Sequence, residues 1–239
     1  MSVEAGTVEG AVTGTADFTV GNETFQTWYM TLGDVKNPKR GVRPVVLLHG
    51  GPGIPHHGLL NHDTLFHKFG IPVVWYDQLG CGGSTRVKDK PASFWTRELF
   101  MDELENLLAH LGISSSFDVL GHSWGGMLAA EWAASRHPPG LQRLVLMCAP
   151  ACMREWEKAT WDLLLTMPQE TKDIVLKARE SGTTESAEYQ AAMRAYFLTF
   201  VCRCDPWPEA VTLSHKLMGE DPTVTMIMYV SLVSLLGSL

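Results

Sequence analysis

The residues most able to do chemistry lie in one short run, Gly121-His122-Ser123-Trp124-Gly125. A serine hydroxyl is a poor nucleophile unless it is lifted clear of the backbone toward a base. The Gly-x-Ser-x-Gly pattern does this with a sharp strand-to-helix turn, and its glycines are needed because the backbone crowds itself there. The context agrees: Phe117 to Leu120 is a short apolar run, and Gly125 to Ser135 is rich in alanine. Ser123 is therefore the candidate catalytic nucleophile, and the chemistry is acyl transfer through a covalent intermediate.

Such a site also needs donors for the negative oxygen of the tetrahedral intermediate. One is the backbone N–H of Trp124, aided by the positive end of the helix it begins. The other is expected from His49-Gly50-Gly51-Pro52-Gly53, which follows the apolar run Pro44 to Leu48. Paired glycines let a backbone N–H turn inward with no Cβ in the way. Gly51 is the expected oxyanion-hole donor beside Trp124. Two neighbours are left outside the site: His122 is directed away along the strand by the period of two, and Glu131 lies two turns up the helix.

A serine nucleophile works with a histidine base oriented by a carboxylate. After Ser123 the histidines are His137, before Pro138-Pro139 at a helix end, and His215, inside a helical pattern. Neither follows a strand, and Asp205 and Asp221 stand before prolines in turn-like settings. None is assigned to a triad.

The elements that must position these groups alternate in type. Ala11 to Val20 and Thr24 to Thr31 read as strands. So do the short apolar runs Pro44 to Leu48, Pro72 to Tyr76, Phe117 to Leu120 and Leu144 to Met147, which suit a parallel sheet buried on both faces. Leu99 to Leu111 reads as a helix with Asp102, Glu103 and Glu105 on its polar face. After Pro150 the pattern is helical only: Glu155 to Leu165, Glu170 to Ala178, Glu185 to Phe200 and Pro208 to Met218. That is the texture of a helical lid inserted after a sheet strand. Its aromatics, Trp156, Trp161, Tyr189, Tyr196, Phe197, Phe200 and Trp207, are expected mainly to pack lid helices together, with some free to line an apolar pocket.

Composition bounds the rest. A chain of 239 residues with 45% apolar side chains can bury one core plus a lid, and a net charge of −7 without long runs argues against nucleic acid or an anionic membrane as partner. The polar start lacks a secretory pattern, so cytoplasmic residence is expected and the sequon at Asn22 is idle. The five cysteines are expected as free thiols, and Cys202 and Cys204 have no matching ligand pair, so no metal is expected. No dinucleotide-binding glycine pattern occurs, so no cofactor is expected. The uncharged stretch from Thr223 to Leu239 is shorter than the ~20 residues that span a bilayer and is expected to be buried or a disturbed chain end. Oligomeric state is left open.

Three motifs, His49-Gly50-Gly51-Pro52-Gly53, Trp75-Tyr76-Asp77-Gln78-Leu79-Gly80-Cys81-Gly82-Gly83-Ser84 and Gly121-His122-Ser123-Trp124-Gly125-Gly126, resemble in order and spacing those of the proline iminopeptidases, from about Thr24 to about Val224. The resemblance implies an α/β-hydrolase fold: a mostly parallel sheet with helices on both faces, and a helical lid. It implies a core over 1–150 and a lid over 151–239, incomplete, with the last strands absent. It implies release of an N-terminal residue, typically proline, from a peptide, with relatives acting on amino-acid amides or esters. By position, Ser123 is the nucleophile and Gly51 with Trp124 supplies the oxyanion N–H groups, while the Asp77 to Ser84 turn is structural.

The family's acid and base lie in two strand-loop units beyond the lid, and this chain stops before them. At the lid's end the family runs Asn-Gly-Pro, one residue, then Glu-Phe, whose Glu holds the substrate amine. Here the sequence reads Tyr229-Val230-Ser231-Leu232-Val233-Ser234. Two other functions follow from these departures: an amidase or esterase on small acyl substrates, or a fragment that lacks turnover without its Asp and His.

Overall fold

A computed structural model describes residues 8–234, with side chains described as far as Met228. The departure expected over Tyr229 to Ser234 therefore lies outside the described side chains. Strands β1 (Val12–Val20) and β2 (Glu23–Leu32) form an antiparallel hairpin that turns at Gly21, whose φ of 61° suits glycine. Then come β3 (Val45–Leu48), β4 (Val73–Tyr76), β5 (Phe117–His122) and β6 (Leu141–Met147). The six strands make one sheet in the order β1-β2-β4-β3-β5-β6. From β4 to β6 all pairs are parallel, and β2 joins β4 antiparallel.

Every residue of β3 and β4 is buried, the consequence of covering a parallel sheet on both sides. Alternate side chains enter two cores. Val46, Leu48, Val74, Tyr76 and Val119 pack with α2 (Arg97–Leu111) and α3 (Trp124–Arg136) on one face. Val45, Leu47, Val73, Trp75 and Leu120 pack on the other, beside a 3₁₀ turn (His56–Asp63) and α1 (Thr64–Phe69). At the far edge β6 pairs with β5 alone among the described residues, and Val145 and Leu146 stay about half exposed.

Helix α2 begins where the Thr96 hydroxyl accepts the Leu99 N–H at 3.1 Å and ends at Gly112 with φ 69°. Here one expectation is corrected. Glu103 is not on the polar face; it is fully buried. It stands four residues from both Leu99 and Leu107, on the stripe that faces the core.

By contacts the chain divides into two units. One runs to Pro150 and resumes at Ala210; the other is Ala151–Glu209. The second holds α4 (Met153–Leu165), α5 (Gln169–Ser181) and α6 (Ala187–Phe200) around Leu164, Met167, Val175, Ala192 and Tyr196. Tyr196 and Phe200 pack 5.1 Å apart there, whereas Trp156, Trp161 and Phe197 remain more than a third exposed. This helical contact unit ends at Glu209. Helix α7 (Glu209–Glu220), from Ala210 on, and α8 (Thr223–Ser234) belong with the sheet, because Val224 and Met228 enter its larger core. No described helix is long and apolar enough to cross a membrane.

Candidate active site

Ser123 sits between β5 and α3 with φ 52° and ψ −119°, a conformation that L-residues avoid. Sterics explain its neighbours. A Cβ on Gly121 would lie 2.4 Å from the Gly125 carbonyl oxygen, and one on Gly125 would lie 2.3 Å from that of Leu48. Each contact is far inside van der Waals range. The two glycines therefore let α3 start directly against the end of β3. That packing carries the diglycine loop to the serine: a Cβ on Gly50 would meet the Ser123 Cβ at 3.1 Å. Gly51 itself has φ 115°, and a Cβ there would be 2.6 Å from the N atoms of Gly53 and Ile54.

Trp124 is the first residue of α3, so its N–H has no carbonyl one turn earlier to bond. The Ser123 N–H donates to the Met147 carbonyl at 3.0 Å, and the Ser123 carbonyl accepts from Gly126 and Met127. Ser123, Gly50, Gly51 and Trp124 are thus gathered at the C-terminal ends of β3 and β5. His137 caps the far end of α3 in a left-handed conformation, and His215 in α7 donates through Nδ1 to the Val211 carbonyl at 2.9 Å. Among the described residues no hydrogen bond joins a histidine to the Ser123 hydroxyl.

His122 departs from expectation. It shares the strand face of Leu120, away from α2 and α3, but the loop after β3 passes on that side. A Cβ on Gly50 would lie 3.1 Å from its Nδ1, so the ring flanks the loop. Burial, and to a lesser degree the nearby His62, holds its pKa below the usual histidine value.

Beneath the loop lies a buried polar network that the motifs alone do not reveal. The His49 ring is 1% exposed; its Nδ1–H donates to the Gly50 carbonyl at 2.9 Å, and its Nε2 accepts the Gln78 N–H at 2.9 Å. These partners fix the tautomer. Desolvation keeps the imidazole pKa low, and the neutral ring suits both bonds. The Gln78 side chain donates through Nε2 to the His49 carbonyl at 3.4 Å and accepts the Trp124 indole N–H at 2.9 Å.

Asp77 anchors the turn that follows β4. Its Oδ1 accepts the His56 N–H and ring Nδ1–H, each at 2.9 Å, and its Oδ2 accepts the Gly83 N–H at 2.9 Å. Burial alone would raise its pKa, but His56 and these bonds hold it below the ordinary value. Glu103 braces the turn from α2, accepting the Thr27 hydroxyl at 2.6 Å and the Leu79 N–H at 3.0 Å. Burial nevertheless pushes its pKa up to about 7. From above, the Thr225 hydroxyl of α8 donates to the Pro52 carbonyl at 2.6 Å, and Val224 packs over Gly80.

His49, Asp77 and Cys81 also bring one metal-ligating atom each within 4.8 Å of one another. Those atoms are already committed: the imidazole to Gln78, the carboxylate to His56 and Gly83, and the thiol as donor to the Gln78 carbonyl at 3.2 Å. Burial keeps the thiol protonated, which opposes ligation. The cluster is scaffolding for the turn.

The chain is similar to known proteins over most of its length. The sequence profile of the alpha/beta hydrolase fold family matches residues 43–191. A proline iminopeptidase of Clostridium botulinum is 35% identical over 203 residues, covering 84% of this chain and 67% of that protein. One from Lactobacillus helveticus is 33% identical over 188 residues, covering 78% and 62%. Among solved structures, a proline iminopeptidase from Mycobacterium smegmatis is 37% identical with a TM-score of 0.82, covering 90% of this chain and 69% of that one. VinJ is 43% identical with a TM-score of 0.81, covering 89% and 69%. The chain spans from about half to two thirds of the length of the curated relatives it matches. On these identities and the shared fold, the chain belongs to the proline iminopeptidase family of α/β-hydrolases.

Proposed function

We propose that this chain bears the nucleophile and oxyanion hole of a serine hydrolase that releases N-terminal proline, or a similar residue, from peptides. Ser123 Oγ attacks the carbonyl carbon of the N-terminal residue, and the hydroxyl proton it gives up ends on the departing amine. The Gly51 and Trp124 N–H groups receive the resulting oxyanion, the amine of the shortened peptide leaves, and water cleaves the acyl-enzyme. In this reading the helical stretch over 151–239 serves as a lid, and the setting is cytoplasmic. The observation that carries the reading is the left-handed Ser123 held against Gly50. Backbone strain of this kind persists only where the surroundings enforce it, and it lifts a hydroxyl out of the sheet.

The test is a fluorophosphonate probe followed by peptide mapping. Labelling at Ser123, absent from Ser123→Ala, supports the assignment; labelling elsewhere, equal in both proteins, defeats it. Parallel assays of a proline anilide, an amino-acid amide and a short acyl ester separate the aminopeptidase from an amidase or esterase, which would use the same three residues.

A second reading rests on the Ser123 hydroxyl, which has no histidine partner among the described residues. On it, the 239-residue chain alone turns over slowly, since loss of the base costs several orders of magnitude. Proline-anilide hydrolysis at the rates of an intact triad would overturn it.

A further inference from the structure

The proposed oxyanion hole is divided between two elements, with Gly51 on the loop after β3 and Trp124 at the start of α3. One side chain touches both. We propose that Gln78 is a positioning residue that couples the two halves of the hole; this rests on the oxyanion reading above.

The Gln78 carboxamide is 1% exposed, and both of its polar atoms are used. Its Oε1 holds the Trp124 indole N–H at 2.9 Å, and its Nε2–H reaches the His49 carbonyl at 3.4 Å. A leucine of similar volume would fill the space without desolvating an amide, so the amide is explained by the two bonds it makes. Its backbone acts as well. The Gln78 N–H occupies His49 Nε2, which leaves the ring proton on Nδ1, where it donates to the Gly50 carbonyl at 2.9 Å. The Ile54 N–H donates to the same oxygen at 3.2 Å. Gly50 and Gly51 share a trans peptide, in which C=O and N–H point in opposite directions. Two donors gripping the Gly50 oxygen therefore aim the Gly51 N–H the other way. Gln78 thus sets the direction of one donor through His49 and the place of the other through the indole.

The test reads the coupling by NMR on the 239-residue chain, with the Gly51 amide and Trp124 indole resonances assigned. Trp124→Phe removes the indole donor while keeping an aromatic ring. It should displace the Gly51 amide resonance, and that displacement should vanish when Gln78 is already methionine. Gln78→Glu keeps the indole acceptor but sets a carboxylate against the His49 carbonyl, so the indole resonance should hold while the Gly51 amide moves. A Gly51 amide unmoved in either Gln78 variant, or displaced equally by Trp124→Phe with and without Gln78, would overturn the proposal. Should Gln78→Met fail to fold, Gln78→Glu and Trp124→Phe are sufficient by themselves: a Gly51 amide that moves in both supports the coupling, and one that stays in either defeats it. Absence of fluorophosphonate labelling at Ser123 would count against the nucleophile alone, because these resonances report the coupling whether or not the serine reacts.

Discussion

Replacing Glu103 by glutamine tests whether a carboxyl group is held inside the core at a cost. The folded protein raises its pKa from 4.5 to about 7, with burial as the largest cause and the Thr27 and Leu79 bonds opposing it. Each pKa unit corresponds to 1.36 kcal/mol, so the shift is worth about 3 kcal/mol. The sign follows from linkage. The unfolded chain loses this proton near pH 4.5 and the folded chain only near 7. The stabilisation is therefore complete below 4.5, declines as pH rises, and is gone above about 7. Glutamine keeps an acceptor for the Leu79 N–H and can donate to the Thr27 hydroxyl, yet carries no proton to lose. Reversible urea unfolding at about pH 4.5 and pH 8 should show the wild type losing stability relative to Glu103→Gln as pH rises, since the buried histidines titrate alike in both. With a urea dependence of about 1–3 kcal/mol per molar, the midpoints at pH 8 should differ by on the order of 1 M in favour of the variant. Equal pH dependence in the two proteins would refute the reasoning.

Other perturbations follow from the same geometry. Ser123→Gly should raise the melting temperature by relieving strain of about 1 kcal/mol while abolishing probe labelling, since glycine accepts a φ of 52° freely. Gly125→Ala, whose Cβ would press within 2.3 Å of the Leu48 oxygen, should cost about 3 kcal/mol or more in denaturant unfolding. Gly219→Ala, which meets nothing within 4 Å in helix α7, should instead stabilise by about 0.5–1 kcal/mol. On the β6 edge, which pairs with β5 alone among the described residues, Val145→Lys should lower any self-association seen by light scattering, because a charge there opposes strand addition.

The serine turn, the diglycine loop, the six strands and most helix bounds are legible in the sequence. Each is fixed by constraints between near neighbours: the crowding of Gly121 against Gly125, and the all-apolar run of a doubly covered strand. What the sequence leaves open depends on partners distant along the chain. Glu103 sits among acidic residues that suggest a solvent-facing position, yet Thr27, 76 positions away, meets it in the core. The return of the chain to the sheet unit at Ala210 rests on Val224 packing over Gly80, and nothing local announces that contact. His122 obeys the strand period, but only the path of the loop after β3 shows that its side of the strand is the site's side. The bridge from Gln78 to Trp124 likewise spans 46 positions. Short-range sterics are written in consecutive residues, whereas hydrogen-bond partners and burial are assigned only once the sheet has brought its separate strand ends together.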